Sequence, residues 1–185
     1  MKRAVTLLMS GGIDSTACAH FLKKSGHEVH GMFIDYGQNA AAAEKLSAIA
    51  LSQRMSVPVD CISVRGSITF GAGEILGRNA LLVLCALCFR PLRSGLIALG
   101  IHSGTRYYDC SPAFHRLIDK LVAEYTDGRV RAAAPFLHWS KREVYEYFEK
   151  TGLPVEESYS CEAGTVPPCG ECLSCQDRKA LTRLT

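Results

Sequence analysis

The stretch TLLMSGGIDST, Thr6 to Thr16, joins a short apolar run to two glycines and then to Asp14-Ser15-Thr16. The run from Val5 to Met9 reads as a buried strand, and the residues from Ser15 onward read as a helix stopped by Gly26. Successive glycines let the backbone approach a ligand closely and turn its N–H groups inward. A helix that begins near Ser15 adds unpaired N–H groups and the positive end of its dipole. The hydroxyls of Ser10, Ser15 and Thr16 add donors. Asp14 is the odd member, because a carboxylate repels phosphate unless a cation bridges them, which points to Mg²⁺. A plain turn followed by a capped helix would use the same residues. The loop also lacks the Gly-Lys-Ser/Thr of a P-loop NTPase.

Working outward, strand-like and helix-like stretches alternate. EVHGMFI (residues 28–34) is a second strand, followed by an Ala-rich helix over 40–55. VPVDCISV (57–64) is a third strand, and a Gly-rich loop then leads to a helix over 79–89 that Pro91 ends. GLIALGI (95–101) is a fourth strand. The helix over 111–125 is capped by Ser111 with Pro112 at its first position. A short extended piece precedes a further helix, in which Ser140 and Glu143 form a capping box and Gly152 is the stop.

This order predicts an open, doubly wound, mostly parallel α/β sheet with helices on both faces. Ligands of such sheets sit at the carboxyl ends of strands near a topological switch point, which is where the Gly-Gly loop falls. From about Tyr159 the periodicity gives way to Cys, Pro and Gly. Residues 1–158 therefore read as the α/β domain and 159–185 as a small segment packed on it.

The 185 residues suffice for one domain with a sizeable core, and the 48% apolar and 21% charged content is that of an ordinary soluble protein. The formal charge of +3 gives no general affinity for nucleic acid or membrane. The opening MKRAVTLLM imitates a secretory signal, but its apolar run breaks too early at Ser10-Gly11-Gly12. ALLVLCALCF (80–89) is about half the length of a membrane span and reads as a buried core helix. A cytoplasmic location is expected.

Nine cysteines in a cytoplasmic protein argue against a disulfide framework. Four of them, Cys161, Cys169, Cys172 and Cys175, crowd the tail with the spacing C-x7-C-x2-C-x2-C. Overlapping C-x2-C steps bring three sulfurs to one tight turn, which Gly170 helps to form, and Cys161 returns to complete a tetrahedron. Four thiolates suit a closed structural Zn²⁺ site. An iron–sulfur cluster is the rival reading, since C-x2-C-x2-C also occurs in ferredoxins.

SGG-x-D-S after the first strand of an α/β domain resembles the PP-loop ATP pyrophosphatases. With FIDYGQ (33–38), GRN (77–79), YDCSPAF (108–114), SKREV (140–144) and the CGECLSC tail in this order, the chain resembles the QueC family, the 7-cyano-7-deazaguanine synthases. That resemblance implies cleavage of ATP between its α and β phosphates, with the loop holding the leaving pyrophosphate. It implies a reaction in which 7-carboxy-7-deazaguanine, ammonia and ATP give the nitrile through an adenylated carboxylate and an amide.

The nucleotide site implied is Leu8, Met9, Ser10, Gly11, Gly12, Ile13, Asp14, Ser15 and Thr16, with Phe33 and Ile34 bordering the adenine. Asp14 and Ser15 carry catalytic roles. Arg78, where a loop meets a helix start, is the candidate cation for charge building on the α-phosphate. Lys141, in the first turn of a capped helix, is a candidate phosphate ligand. Tyr36, Gln38, Asn79, Tyr108, Asp109 and Phe114 are implied around a deazapurine carboxylate and ammonia. The cofactors implied are ATP, Mg²⁺ and Zn²⁺, the assembly a homodimer, with no nucleic acid or membrane partner.

Besides a shortened loop between the third strand and GRN (77–79), the chain departs from the family pattern in two loops. Asn39-Ala40 stand where Arg-His usually follow the DYGQ, although Glu44 keeps its acidic place. Ser103-Gly104-Thr105 replace the usual acidic pair ahead of Tyr108-Asp109-Cys110. Both loops belong to the substrate side, so the alternative is a ligase that adenylates another carboxylate or passes a deazapurine acyl group to an acceptor such as a protein amine. A non-catalytic nucleotide-binding subunit would be free to lose Asp14. An RNA-thiolating relative would want a basic extension and a second cysteine pair.

Overall fold

A computed structural model describes residues 2–71 and 73–182. The strands are β1 (Ala4–Leu8), β2 (Glu28–Asp35), β3 (Val59–Ser63), β4 (Gly95–Leu99) and β5 (Val130–Ala133). The helices are α1 (Ile13–Lys24), α2 (Ala41–Arg54), α3 (Arg78–Phe89), α4 (Pro112–Tyr125), α5 (Lys141–Glu149) and α6 (Leu173–Thr182). Short 3₁₀ turns lie at Tyr108–Cys110 and Val155–Glu157.

The strands form one five-stranded sheet in the order β3-β2-β1-β4-β5, parallel at every pairing. The doubly wound class expected from the sequence is therefore the class observed. β1 is buried on both faces after its first residue, which is why Val5 to Leu8 read as an unbroken run rather than an alternation. Its side chains divide between two cores. Val5, Leu7 and Met9 pack with α1, α2 and α5, whose inward residues include Cys18, Leu22, Leu51, Val144 and Phe148. Leu8, with Met32, Ile34 and Ile97 of neighbouring strands, packs against Val83 and Ala86 of α3 and Phe114, Ile118 and Val122 of α4. The switch point falls between β1 and β4, and the Gly-Gly loop leaves the sheet there.

Three sequence expectations are corrected. The extended piece after α4 is a true strand, β5, because its Val130 to Ala133 backbone pairs with Gly95 to Ala98 of β4. The tail beyond Tyr159 is not wholly irregular, since α6 occupies Leu173–Thr182. Its one strongly buried anchor is Cys175, too weak an apolar pattern to be read from sequence. The helix over 79–89 is not a core helix. It buries Asn79, Val83, Cys85 and Ala86, while Leu81, Cys88 and Phe89 are exposed. No described element covers its outer face. Among the described residues no helix is long and apolar enough to cross a membrane.

Candidate active site

The loop that leaves β1 is shaped by Gly11, whose φ of +78° is a left-handed conformation that an L side chain resists. A Cβ there would also lie 2.6 Å from the Ala48 nitrogen and 2.7 Å from the Glu44 carbonyl oxygen, so the loop is seated directly on α2. The first helical bond of α1 runs from the Thr16 N–H to the Gly12 carbonyl. The N–H groups of Ile13, Asp14 and Ser15 precede it and have no partner within the helix. Gly12, at the N-cap, supplies no side-chain cap, whereas Ser111 and Ser140 cap α4 and α5. An uncapped helix start at a switch point is a fitting cradle for an anion.

Ser10 and Ser15 are drawn together, Oγ to Oγ at 3.1 Å, and the Ser15 hydroxyl also lies 3.2 Å from the Gly12 carbonyl. Thr16 does not join them: its side chain is fully buried beneath the loop, and its hydroxyl finds no partner among the described residues. Leu8, Met9 and Ile13 are buried and fix the loop's base. Phe33 and Ile34 end β2 as core residues on opposite faces of the sheet, packed with α1 and α2 and with α3 and α4 respectively.

Lys141 is brought to the loop from 127 residues away. Its Nζ donates to both carboxylate oxygens of Asp14, at 2.8 and 2.6 Å. The capping box of Ser140 and Glu143 fixes the helix start on which Lys141 stands. The Glu143 carboxyl is held below its usual range by the Ser140 N–H and hydroxyl. A second basic group, His102, is 4% exposed with Nε2 3.8 Å from Asp14 Oδ2. Burial pushes its imidazole below the usual value, more than the carboxylate of Asp14 raises it. No ligand-like spacing marks this histidine in the sequence.

A second cluster gathers around Arg78, at the start of α3 and half-buried. Its guanidinium acts electrostatically on the Tyr36 phenol, Glu44 and Cys110. Burial pushes the Tyr36 hydroxyl and the Glu44 carboxyl up; for Glu44 the hydrogen bond from Gln38 and the charge of Arg78 only partly oppose it. Gln38 is spent inside the protein, accepting from the Tyr36 N–H at 2.9 Å and donating to Glu44 Oε2 at 2.9 Å. Asn79 and Asp109 form a buried strut. The Asn79 amide donates to the Asp109 carbonyl at 2.9 Å, and the Asn79 N–H donates to the Asp109 carboxylate at 3.2 Å. Tyr108 is exposed, and Phe114 lies beneath it in the core with the ring centroids 6.1 Å apart. Glu44 is thus a half-buried acid of this cluster. Its sequence position marked it as acidic but assigned it no part in the site.

The four tail cysteines converge, with their sulfurs within 4.8 Å of one another. Cys161 Sγ accepts from the Cys169 N–H at 3.3 Å, and Cys169 Sγ accepts from the Glu171 and Cys172 N–H groups at 3.4 Å each. Burial opposes ionisation of Cys161, but the Cys169 N–H, the Thr165 hydroxyl, the Cys169 thiol and the Ala163 N–H outweigh it and bring the thiol down to about 5. Burial and the neighbouring sulfurs push Cys175 the other way, to about 12. Four sulfurs this close, one strongly favouring the thiolate and one resisting added charge, form a donor set that a cation would reconcile.

This cysteine segment abuts the loop. The Tyr159 N–H donates to the Gly11 carbonyl at 3.1 Å, and the Ser47 hydroxyl donates to the same oxygen at 2.8 Å. Glu162 accepts from the Gly73 N–H at 3.2 Å and from the Ser174 hydroxyl at 2.7 Å, linking the loop before α3 to α6.

A parallel α/β sheet with an anion cradle at its switch point and a tetrathiol clip beside it defines a nucleotide-binding fold of the PP-loop kind. The family described as "Queuosine biosynthesis protein QueC" matches residues 3–76 and 72–183, and the chain belongs to that family. A "7-cyano-7-deazaguanine synthase" of Prochlorococcus marinus (strain NATL2A) is 30% identical over 215 residues, spanning 100% of this chain and 95% of the relative. One of Aquifex aeolicus is 30% identical over 210 residues, spanning 97% and 96%. Among solved structures, a predicted subunit of tRNA methyltransferase from Methanocaldococcus jannaschii superposes with a TM-score of 0.57 at 15% identity, over 80% of this chain and 76% of that one. That likeness concerns the fold alone.

Proposed function

We propose that the chain is an ATP-dependent nitrile synthase that converts 7-carboxy-7-deazaguanine and ammonia to 7-cyano-7-deazaguanine. The observation that carries this reading is the uncapped start of α1 with Lys141 paired to Asp14, in a chain matched end to end by synthases of that name.

The chemistry balances with the loss of two pyrophosphates and two AMP. The carboxylate attacks the α-phosphorus and pyrophosphate leaves. Ammonia then displaces AMP and sheds a proton, giving the amide. The amide oxygen then attacks the α-phosphorus of a second ATP, a second pyrophosphate leaves, and loss of AMP and two protons leaves the nitrile. The N–H groups of Gly11 to Ser15 and the dipole of α1 receive the departing pyrophosphate. Lys141 supplies a cation for it. Arg78 stabilises charge on the α-phosphate, a role worth roughly 3 kcal/mol for one well-placed donor. Asp14 offers carboxylate oxygens to Mg²⁺, which when bound neutralises phosphate charge. Tyr36, Glu44 and the Asn79–Asp109 strut border the deazapurine. Cys161, Cys169, Cys172 and Cys175 would hold Zn²⁺ as a closed structural centre, and residues 159–182 form the segment around them.

The protein is expected in the cytoplasm, without a nucleic-acid partner, as a homodimer. The uncovered apolar stripe of Leu81, Leu117, Leu121 and Tyr125 on α3 and α4 supports the dimer. Sedimentation should find two chains per particle, and Leu121→Glu should separate them.

The deciding experiment is mass spectrometry of products from ATP, Mg²⁺, an ammonium salt and the carboxylate. AMP, pyrophosphate and nitrile together are expected. AMP with a product that stops at adenylate or amide would reassign the chain as a ligase for another acceptor, and no AMP would remove this substrate.

A further inference from the structure

The reading above leaves one buried basic side chain beside the loop without a role. His102 follows Gly100, and Gly100 allows β4 to end against the first turn of α1. A Cβ at residue 100 would lie 2.8 Å from the Asp14 carbonyl oxygen and 2.9 Å from the Ser15 Cα. This close approach sets the imidazole next to the Asp14 side chain rather than in solvent.

The ring is fixed from its other edge. The Gly104 N–H donates to His102 Nδ1 at 3.2 Å, and a Cβ at residue 104 would stand 2.9 Å from that same atom. The Ser103 N–H, between them, donates to the Leu137 carbonyl at 3.0 Å and pins the turn to the segment that leads into α5. Because Nδ1 accepts, the ring proton resides on Nε2, the atom 3.8 Å from Asp14 Oδ2. Asp14 is thus faced by two N–H groups, Lys141 of α5 within hydrogen-bond distance and His102 beyond β4 at 3.8 Å, outside direct hydrogen-bond reach. The Ser103-Gly104 turn, where the chain departs from its family's usual acidic pair, is the element that orients the second.

We propose that His102 is a positioning residue for phosphate binding: its Nε2–H restrains the Asp14 carboxylate, and through it holds the Lys141 ammonium toward the pyrophosphate of the nucleotide. The inference rests on the assignment of Lys141 to phosphate. Without His102, Asp14 is free to turn about its side-chain torsions and Lys141 follows it. The loss then appears in affinity for pyrophosphate, not in the fold.

Two amides separate the two edges of the ring. In His102→Gln the terminal NH₂ takes the place of Nε2 and still donates toward Asp14. In His102→Asn the amide oxygen takes the place of Nδ1 and still accepts from Gly104, but nothing reaches Asp14. Calorimetric titration of each zinc-loaded protein with inorganic pyrophosphate and Mg²⁺ reads the effect directly. His102→Asn should bind about threefold more weakly than the parent, since a polar contact at 3.8 Å is worth less than a direct hydrogen bond to a charged group. His102→Gln, which still presents a donor to Asp14, should bind as the parent does.

Thermal melts should show similar stability for both variants. Equal binding by His102→Asn and the parent overturns the proposal. So does weakening in both variants in proportion to lost stability, which is what a merely structural ring would give. Lys141→Met serves as the reference. If it leaves pyrophosphate affinity unchanged, the phosphate assignment itself fails. If it weakens binding while His102→Asn does not, only the role of His102 falls.

Discussion

Gly164→Ala tests whether the cysteine segment is truly bolted to the active-site loops. Gly164 has a φ of +74°, and a Cβ there would lie 2.2 Å from the Asn39 carbonyl oxygen, 2.6 Å from its carbon and 3.0 Å from the Ala40 nitrogen. All three are backbone atoms, so no side chain can rotate away, and the two segments must part by about an ångström to reach ordinary contact. The left-handed backbone costs an alanine about 1 kcal/mol. The displaced contact adds about 1–3 kcal/mol, the usual range for overpacking. Gly152→Ala is the matched control, because Gly152 has a φ of +72° with nothing within 4 Å of its missing Cβ. It should cost only the backbone share.

Urea unfolding of the two zinc-loaded variants measures the difference, which is expected to be about 2 kcal/mol. A functional loss should accompany it, because Asn39 follows Gln38, and Gln38 holds Glu44. Zinc content should stay at one per chain, since the four sulfurs converge without help from Gly164. Equal costs for the two substitutions would refute the reasoning, because the segment would then have no fixed seat on the Asn39–Ala40 turn.

Asp14→Asn should lower AMP formation at least about a hundredfold while leaving thermal stability near the parent's, as expected when a preorganised charge is removed from the reacting phosphates. Glu44→Gln should stabilise the protein at neutral pH. Burial raises the Glu44 carboxyl above its ordinary 4.5, so its ionisation in the folded state opposes folding. That penalty is absent below 4.5, grows as the pH climbs from there to the raised value, and is constant above it. Melts of parent and variant should therefore coincide in acid and separate on the neutral side, and coincidence at both ends would contradict the burial argument. Removal of metal by a chelator should weaken pyrophosphate binding as well as stability, since Tyr159 and Gly11 share a backbone hydrogen bond. Loss of stability with unchanged pyrophosphate affinity would disconnect the clip from the loop.

The fold class, the glycine loop after β1 and the grouping of the four tail cysteines were legible in the sequence because each is written locally. Strand and helix periods recur within a few residues, a helix start shows its glycines and hydroxyls, and C-x2-C steps bring thiols together within one turn. β5 was only half legible, since four residues with two alanines become a strand by pairing with β4 rather than by propensity. The exposed face of α3 was misread for a related reason: an apolar run states that a helix seeks cover, not how many sides receive it.

What the tertiary structure alone decided is which distant residues meet. The strand order puts β4 beside β1, and only that adjacency carries His102 and, through α5, Lys141 to Asp14. The same packing seats Gly11 against α2 and brings Tyr159 to its carbonyl. Glu44 and Arg78 act on each other only because α2 and α3 both begin where they do in the tertiary fold, Glu44 in the first turn of one and Arg78 in the first turn of the other. The sequence names the donors and ligands, because their chemistry belongs to single residues and short spacings. Their partners depend on long-range packing, which short spacings do not encode.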